Sequence, residues 1–226
     1  MNIRRYSLIE GASKAKGTTI VIDVFRAFTT AAYAFNRGAE RIYPVSSVDE
    51  AFDLKENNPN WVLMGEREGK QIEGFDYGNS PYEISRVNLK GKNIVQTTSA
   101  GTQGIALARD ASEVLPGSFV IVDAIVSYIL ENDPSEVSLI GMGWGGRVKS
   151  VEDEACADYI ERKLRGEEPD FEKIRKRIRS NPEGAKFFDP AQPHFREEDY
   201  HYAMDLNKFS FCMKVIKEEL PYIIKI

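Results

Sequence analysis

The sequence predicts an α/β fold, three layers deep (α/β/α), around a largely parallel or mixed central sheet. Two observations carry this. Short β-branched apolar runs alternate with segments of helical period. The residues able to do chemistry fall just past the ends of those runs, where α/β folds bind ligands. The chain has 226 residues, enough for one substantial core, and no low-complexity linker divides it, so residues 1–226 are read as one domain.

Thr19 to Val24 is a buried strand by its apolar β-branched run. A helix follows over Arg26 to Asn36, with Ala27, Ala31, Ala34 and Phe35 at helical spacing and Gly38 as its C-cap. Arg41 to Val45 is a second strand. Ser47, with Glu50 three residues on, opens a helix as a capping box. Trp61 to Met64 is a third strand, and Gly65 to Pro81 then reads as a long loop with four glycines and six charged residues. Asn93 to Thr97 is a fourth strand, leading into a helix from Gly101 to Arg109. Glu113 to Leu115 and Phe119 to Val122 are short apolar pieces, and Ala124 to Glu131 is helical. Glu136 to Gly141 is a further strand, followed by the glycine-rich Gly143-Trp144-Gly145-Gly146. Ser150 to Arg165 is amphipathic, with Ala155, Cys156, Tyr159 and Ile160 on one stripe. The charged, aromatic last third is expected to form helices covering the sheet, and the chain ends in a short helix or strand and an apolar tail, Tyr222 to Ile224.

Composition excludes some roles. The net charge of -5 does not suggest a nucleic-acid partner. No apolar run reaches a membrane span, and the first residues lack the apolar core of a secretory signal. The only cysteines, Cys156 and Cys212, make no disulfide framework, so a reducing, cytoplasmic setting is expected. An oligomer is left open, since no interface is legible.

Four strand ends gather carboxylates, arginines, hydroxyls and glycines: Asp23 with Arg26; Glu66 with Arg67; Thr97, Thr98 and Ser99 before Gly101 and Thr102; and Arg147, Glu152 and Asp153. Mg²⁺ is a hard cation that needs few carboxylates because it keeps waters. Phosphate favours arginine forks and backbone amides at helix starts. Phosphoryl transfer then asks mainly for positioning and charge neutralisation. Plainer readings stand beside each element. Asp23 suits an N-cap, Arg26 a surface charge, Thr98 and Ser99 strand and cap positions. Glu152 and Asp153 suit favourable first-turn acids, Asp153 with Ser150 as a partial capping box. His194 and His201 show no metal-ligand spacing. Cys156 with Arg162 lacks the glycine turn a phosphatase thiolate loop needs. Gly141-Met142-Gly143 with Gly146 has dinucleotide-loop spacing but no acidic ribose partner.

Taken as a set, the motifs resemble the 2-phosphosulfolactate phosphatase family. The matching segments are Asp23-Val24-Phe25-Arg26-Ala27, Gly65-Glu66-Arg67-Glu68-Gly69, the most specific run Gly74-Phe75-Asp76-Tyr77-Gly78-Asn79-Ser80-Pro81, Thr98-Ser99-Ala100-Gly101-Thr102, and Val151-Glu152-Asp153 with Cys156-Ala157. Their order and spacing run from about residue 19 to residue 165. Four positions depart from the family's pattern: Phe28 stands for threonine, Glu68 and Asp158 for glycine, and Ala100 for asparagine.

The resemblance implies an Mg²⁺-dependent hydrolase of 2-phospho-3-sulfolactate, of the coenzyme M biosynthesis type. The alternatives are a phosphatase of another small phosphorylated acid, or a non-catalytic binder of an anionic metabolite. Asp23, Arg26, Glu66, Arg67 and Asp76 are then the catalytic candidates. Asn79, Ser80, Thr98, Ser99, Gly101 and Thr102 are the substrate-binding ones. Asp23, Glu66, Glu152 and Asp153 are the candidate metal ligands, with ligand and base undivided among the acids.

Overall fold

A computed structural model describes all residues, 1–226. In chain order the elements are β1 (Asn2–Ser7), α1 (Leu8–Ala12), β2 (Gly17–Ile22), α2 (Ala27–Asn36), β3 (Arg41–Pro44), α3 (Val48–Asn57), β4 (Val62–Arg67), β5 (Lys70–Gln71), α4 (Pro81–Ile84), β6 (Asn93–Thr97), α5 (Gly101–Leu107), β7 (Ala111–Gly117), α6 (Val122–Asn132), β8 (Glu136–Gly141), α7 (Val151–Leu164), α8 (Phe171–Ser180), α9 (Pro182–Ala185), α10 (Glu197–Ala203), β9 (Met213–Ile216) and β10 (Tyr222–Lys225). Single 3₁₀ turns stand at Phe119–Ile121 and Lys186–Phe188.

The predicted layered α/β class holds, with the strands divided between two sheets. One is all parallel, in the order β1-β8-β2-β7. The other runs β5-β4-β6-β3-β10-β9. Its centre, β4-β6-β3, is parallel, and the strands at its margins are antiparallel. β7 lies beside β9, which brings the two sheets edge to edge. One buried cluster reaches from Ala12 to Ile223 and takes in residues of both sheets. No helix is long and apolar enough to cross a membrane.

The expected strands and helices sit close to their predicted positions, with three differences. The first is at the start: Asn2–Ser7 is a strand and Leu8–Ala12 a helical turn. Ile3-Arg4-Arg5-Tyr6 carries no apolar run because β1 is an edge strand, paired only with β8. The second is that the strand expected to stop at Met64 continues to Arg67, so Gly65, Glu66 and Arg67 belong to β4 and not to a loop. Gly65 permits this. It pairs with Thr97, and a Cβ there would lie 2.2 Å from the Thr97 carbonyl oxygen. The third concerns Glu113 to Leu115, the middle of a longer strand, β7, at the edge of the parallel sheet.

Candidate active site

Asp23 leaves the carboxyl end of β2, and its backbone N–H still bonds the Gly117 carbonyl of neighbouring β7. Its Oδ1 accepts the Ala27 N–H at 3.1 Å, closing the first turn of α2. The N-cap position itself is Arg26, so Asp23 satisfies the first helical amide from outside the cap, and the same residue lines a small cleft. Asp153 approaches from the first turn of α7. The Ser150–Asp153 capping box does not form: Ser150 makes no side-chain cap bond. Asp153 instead turns inward, Oδ1 accepting the Val24 N–H at 2.8 Å and Oδ2 the Gly143 N–H at 2.7 Å. These bonds tie the start of α7 to the turn after Asp23.

Asp23 and Asp153 are both buried. Burial pushes each carboxyl up to about 8; the negative charge of Asp153 adds to the effect on Asp23, and that of Glu152 to the effect on Asp153. No protein cation offsets the pair. Glu152 lies buried behind it, raised to about 7 by burial, with one carboxylate oxygen unpartnered.

The other wall is the hairpin β4–β5. Arg67 pairs with Lys70 across the two-residue turn Glu68-Gly69, where both residues have positive φ, 53° and 80°. Glu66 fixes this wall: it accepts the Gly69 N–H at 2.7 Å, the Ser99 N–H at 2.7 Å and the Ser99 hydroxyl at 3.3 Å. The Ser99 amide, expected to meet an anion, therefore meets Glu66. Thr98 and Thr102 cap one another, backbone N–H to side-chain oxygen, at 3.0 and 3.2 Å, and both are buried. They shape the turn into α5. Gly101 makes room: a Cβ there would lie 2.8 Å from Asp23 Oδ2.

Arg26 lines the cleft but is no surface charge. Its Nη1 donates to Asp199 Oδ2 at 2.8 Å and to the His194 carbonyl at 3.2 Å, and its Nη2 to the Gly69 carbonyl at 2.7 Å. The Phe25–Arg26 peptide is cis. Asn79 also lines the cleft, its Oδ1 buried and unpartnered. Ser80 caps α4 and bonds Asp199. Trp144, Gly143 and Gly145 of the glycine-rich loop, with Phe25 and Phe195, complete the wall. Next to it, sharing Glu68, Ser99, Trp144 and Gly145, runs a groove lined by Arg67, Thr98, Gln103 and Arg147. Acids thus line the cleft, and two arginines line the groove beside it.

The structure brings together Asp23, Arg26, Glu66, Asn79 and Ser99 at the cleft, with Asp153 directly behind and Arg67 and Thr98 in the groove. Asp76 stands apart. It accepts the Leu63 N–H at 2.8 Å and faces Lys55 at 3.4 Å, so it secures the start of β4. Trp144, Phe195, Gly69 and Asp199 are site residues that sequence reasoning passed over. Asp199 lay hidden in Glu197-Glu198-Asp199, a run that looks like a solvated face. Its buried companions Tyr200 and Ala203 are the one signal that could have marked it.

The profile of the family described as 2-phosphosulpholactate phosphatase matches residues 4–215. A protein of Bacillus subtilis (strain 168), named a probable 2-phosphosulfolactate phosphatase, is 35% identical over 209 residues, covering 90% of each chain. One of Clostridium perfringens (strain 13 / Type A), with the same name, is 32% identical over 214 residues, 88% of this chain and 86% of its own. One of Carboxydothermus hydrogenoformans, also so named, reaches 43% over 141 residues, 62% of this chain and 58% of its own. The match runs from β1 into β9, through every element that lines the cleft before the C-terminal segment and through that segment as well, and the chain belongs to the 2-phosphosulfolactate phosphatase family.

Proposed function

We propose that this chain is a phosphoric monoester hydrolase that converts 2-phospho-3-sulfolactate and water to 3-sulfolactate and phosphate with the help of Mg²⁺, the reaction type of coenzyme M biosynthesis. The observation that carries the reading is the buried pair Asp23 and Asp153, with no protein cation to offset it, at and behind the wall of a cleft that adjoins a groove lined by Arg67 and Arg147.

The donor chemistry fits Mg²⁺. No three His, Cys, Asp or Glu side chains form a metal-binding group. Mg²⁺ is commonly held by one or two carboxylates, with waters and substrate oxygens filling the rest. Asp23, which lines the cleft, and Asp153 behind it would hold the ion. When bound, it would neutralise charge on the phosphate oxygens and acidify a water.

The chain's own residues do the remainder. Glu66 keeps the Ser99 turn and the Glu68-Gly69 turn in place. Arg67 and Arg147 offer guanidinium groups to the carboxylate and sulfonate. Phe25, Trp144 and Phe195 limit water around the reacting phosphate. The water oxygen bonds phosphorus as the ester P–O bond breaks. One water proton leaves to a carboxylate, and the departing alkoxide oxygen takes a proton to become the hydroxyl of sulfolactate.

Phosphate release from 2-phosphosulfolactate, phospholactate and other small phosphorylated acids, each with Mg²⁺ and with EDTA, tests this. Mg²⁺-dependent turnover selective for the sulfonate is the expected result; no turnover in folded protein rejects it. A second reading has one observation in its favour: Glu68, a glycine in the family's pattern, lines both cleft and groove and adds negative charge where a sulfonate would lie. That favours a phosphorylated acid with fewer negative groups, and the same panel separates the two.

A further inference from the structure

We infer that Asp199 is the positioning residue of this site: its carboxylate holds Arg26 and the Asn79-Ser80 turn against the cleft, and acts through them without meeting the substrate. The inference rests on the reading of the cleft as a phosphate-ester site.

Three donors from two separate segments converge on this one side chain. Oδ2 accepts Arg26 Nη1 at 2.8 Å. Oδ1 accepts the Ser80 hydroxyl at 2.6 Å and the Tyr82 N–H at 3.2 Å. Asp199 is wholly buried and the Arg26 side chain is 4% exposed. Asp199 is also absent from the cleft's lining, whereas Arg26 and Asn79 are on it. A buried guanidinium without a carboxylate is costly, so Arg26 can occupy the cleft wall only with its counter-ion present. The other Arg26 bonds are to the carbonyls of His194 and Gly69, which carry no charge to replace it.

The second arm has its own consequence. Ser80 caps α4 by accepting the Glu83 N–H at 3.2 Å, and its hydroxyl proton goes to Asp199. That fixes the residue beside Asn79. The Asn79 carbonyl accepts the Thr30 hydroxyl at 3.1 Å, while its side-chain Oδ1 is left buried and unpartnered at the cleft. That oxygen is open to accept a hydrogen bond from a group bound in the cleft. One carboxylate from α10, near the C-terminus, thereby aligns two groups supplied by residues 26 and 79.

The test is a double-mutant cycle of Asp199→Asn and Arg26→Gln, read as KM and kcat for phosphate release, with hydrogen exchange of the metal-free proteins. A positioning role predicts a KM rise of about tenfold or more in Asp199→Asn, with kcat much less affected, the loss expected for a charged hydrogen bond. It predicts that Asp199→Asn costs less once Arg26 is Gln, because only the arm through Ser80 and Asn79 is then left to lose. It also predicts faster exchange at residues 69–71 and 79–84. Loss of folded protein alone would lower kcat and leave KM unchanged. If KM stays within about twofold in folded Asp199→Asn, or if the two losses multiply in the double variant, the inference falls. Should Asp199→Asn fail to fold, Ser80→Ala removes one arm and spares the ion pair; an unchanged KM there overturns the proposal equally. If the wild-type protein turns over no phosphorylated acid, the functional reading fails by itself. The exchange comparison then still decides on Asp199, and unchanged exchange at both segments rejects it.

Discussion

The Oδ2 of Asp23 lies 2.8 Å from the place a Cβ on Gly101 would take. The glycine that opens α5 therefore serves the carboxylate by its small size. A methyl group there would also meet Ala27 Cβ at 2.8 Å and the Phe28 ring at 3.1 Å, and all three neighbours are buried.

Gly101→Ala is therefore expected to displace Asp23 or part α5 from α2. Overpacking of this kind costs about 1–3 kcal/mol, and the site should lose more in turnover than the fold loses in stability. Urea denaturation and phosphate-release kinetics on the same protein check this. Wild-type turnover in Gly101→Ala would show that Asp23 tolerates displacement and is not central to the reaction.

Asp23 and Asp153 give a pH dependence whose sign follows from burial. Both carboxyls are raised to about 8, so the folded protein keeps protons that the unfolded chain releases in the ordinary carboxylate range. The contribution of these two groups to the stability of the metal-free protein is therefore fully present below that range and declines as pH rises toward about 8. On the proposed reading Mg²⁺ would bind the deprotonated pair, so the rise in Tm on adding it should grow over the same interval. Thermal melts with Mg²⁺ and with EDTA, from about pH 5 to pH 9, read both trends. A Mg²⁺ effect independent of pH would place the ion elsewhere.

Much of this site was legible in the sequence, for a definable reason. Asp23, Glu66, Ser99 and Asp153 lie at the carboxyl ends of strands or the first turns that follow, where the α/β layout alone gathers residues. What the sequence hid was which partner each group would choose. Glu66 takes the amides that a helix start seemed to offer an anion, and Thr98 and Thr102 satisfy each other. Arg26 looked like a free fork, yet it is bound to Asp199 across 173 positions, a pairing with no local signal. Asp76 lies in the most specific motif of the chain, but its carboxylate is committed to the Leu63 amide.

Asp76→Asn should accordingly act on the fold more than on the reaction. It weakens a charge-assisted bond to the Leu63 N–H and a half-exposed contact with Lys55, a loss of about 1–2 kcal/mol. Equilibrium unfolding should show that loss while kcat at saturating substrate stays near wild type. A collapse of kcat in folded protein would return Asp76 to the catalytic set.

Glu68 offers a test in the opposite direction. It is a non-glycine residue at φ 53° in the β4–β5 turn, and its carboxylate lines the cleft. Glu68→Gly removes both the left-handed backbone penalty, about 1 kcal/mol, and a negative charge. KM for a multiply charged phosphorylated acid should fall, most clearly at low ionic strength, where the repulsion is least screened. An unchanged KM at every salt concentration would mean that the carboxylate points away from the bound substrate.

Arg147 permits the sharpest separation of substrate recognition from chemistry. The hairpin that carries it is held by paired backbone bonds: Trp144 N–H donates to the Val148 carbonyl at 2.8 Å, and Val148 N–H donates to the Trp144 carbonyl at 3.2 Å. Lys186 sits 3.9 Å from the centre of the Trp144 ring, which steadies the loop further. Arg147 itself is exposed, forms no salt bridge with any acid of the chain, and lines the groove beside the cleft. With the phosphate beside Asp23, as proposed, a group in that position would meet the part of the substrate remote from the reacting phosphate. Arg147→Ala should therefore raise KM for phosphorylated acids bearing a second or third anionic group, by about 1.5–3 kcal/mol in kcat/KM, the range for a charged hydrogen bond. For a phosphate monoester with no other charge, kcat/KM should barely move, because nothing on that molecule reaches the groove. Equal losses for both substrates would mean that Arg147 supports the loop or the phosphate and not the distal anion, and recognition would then fall to Arg67 alone.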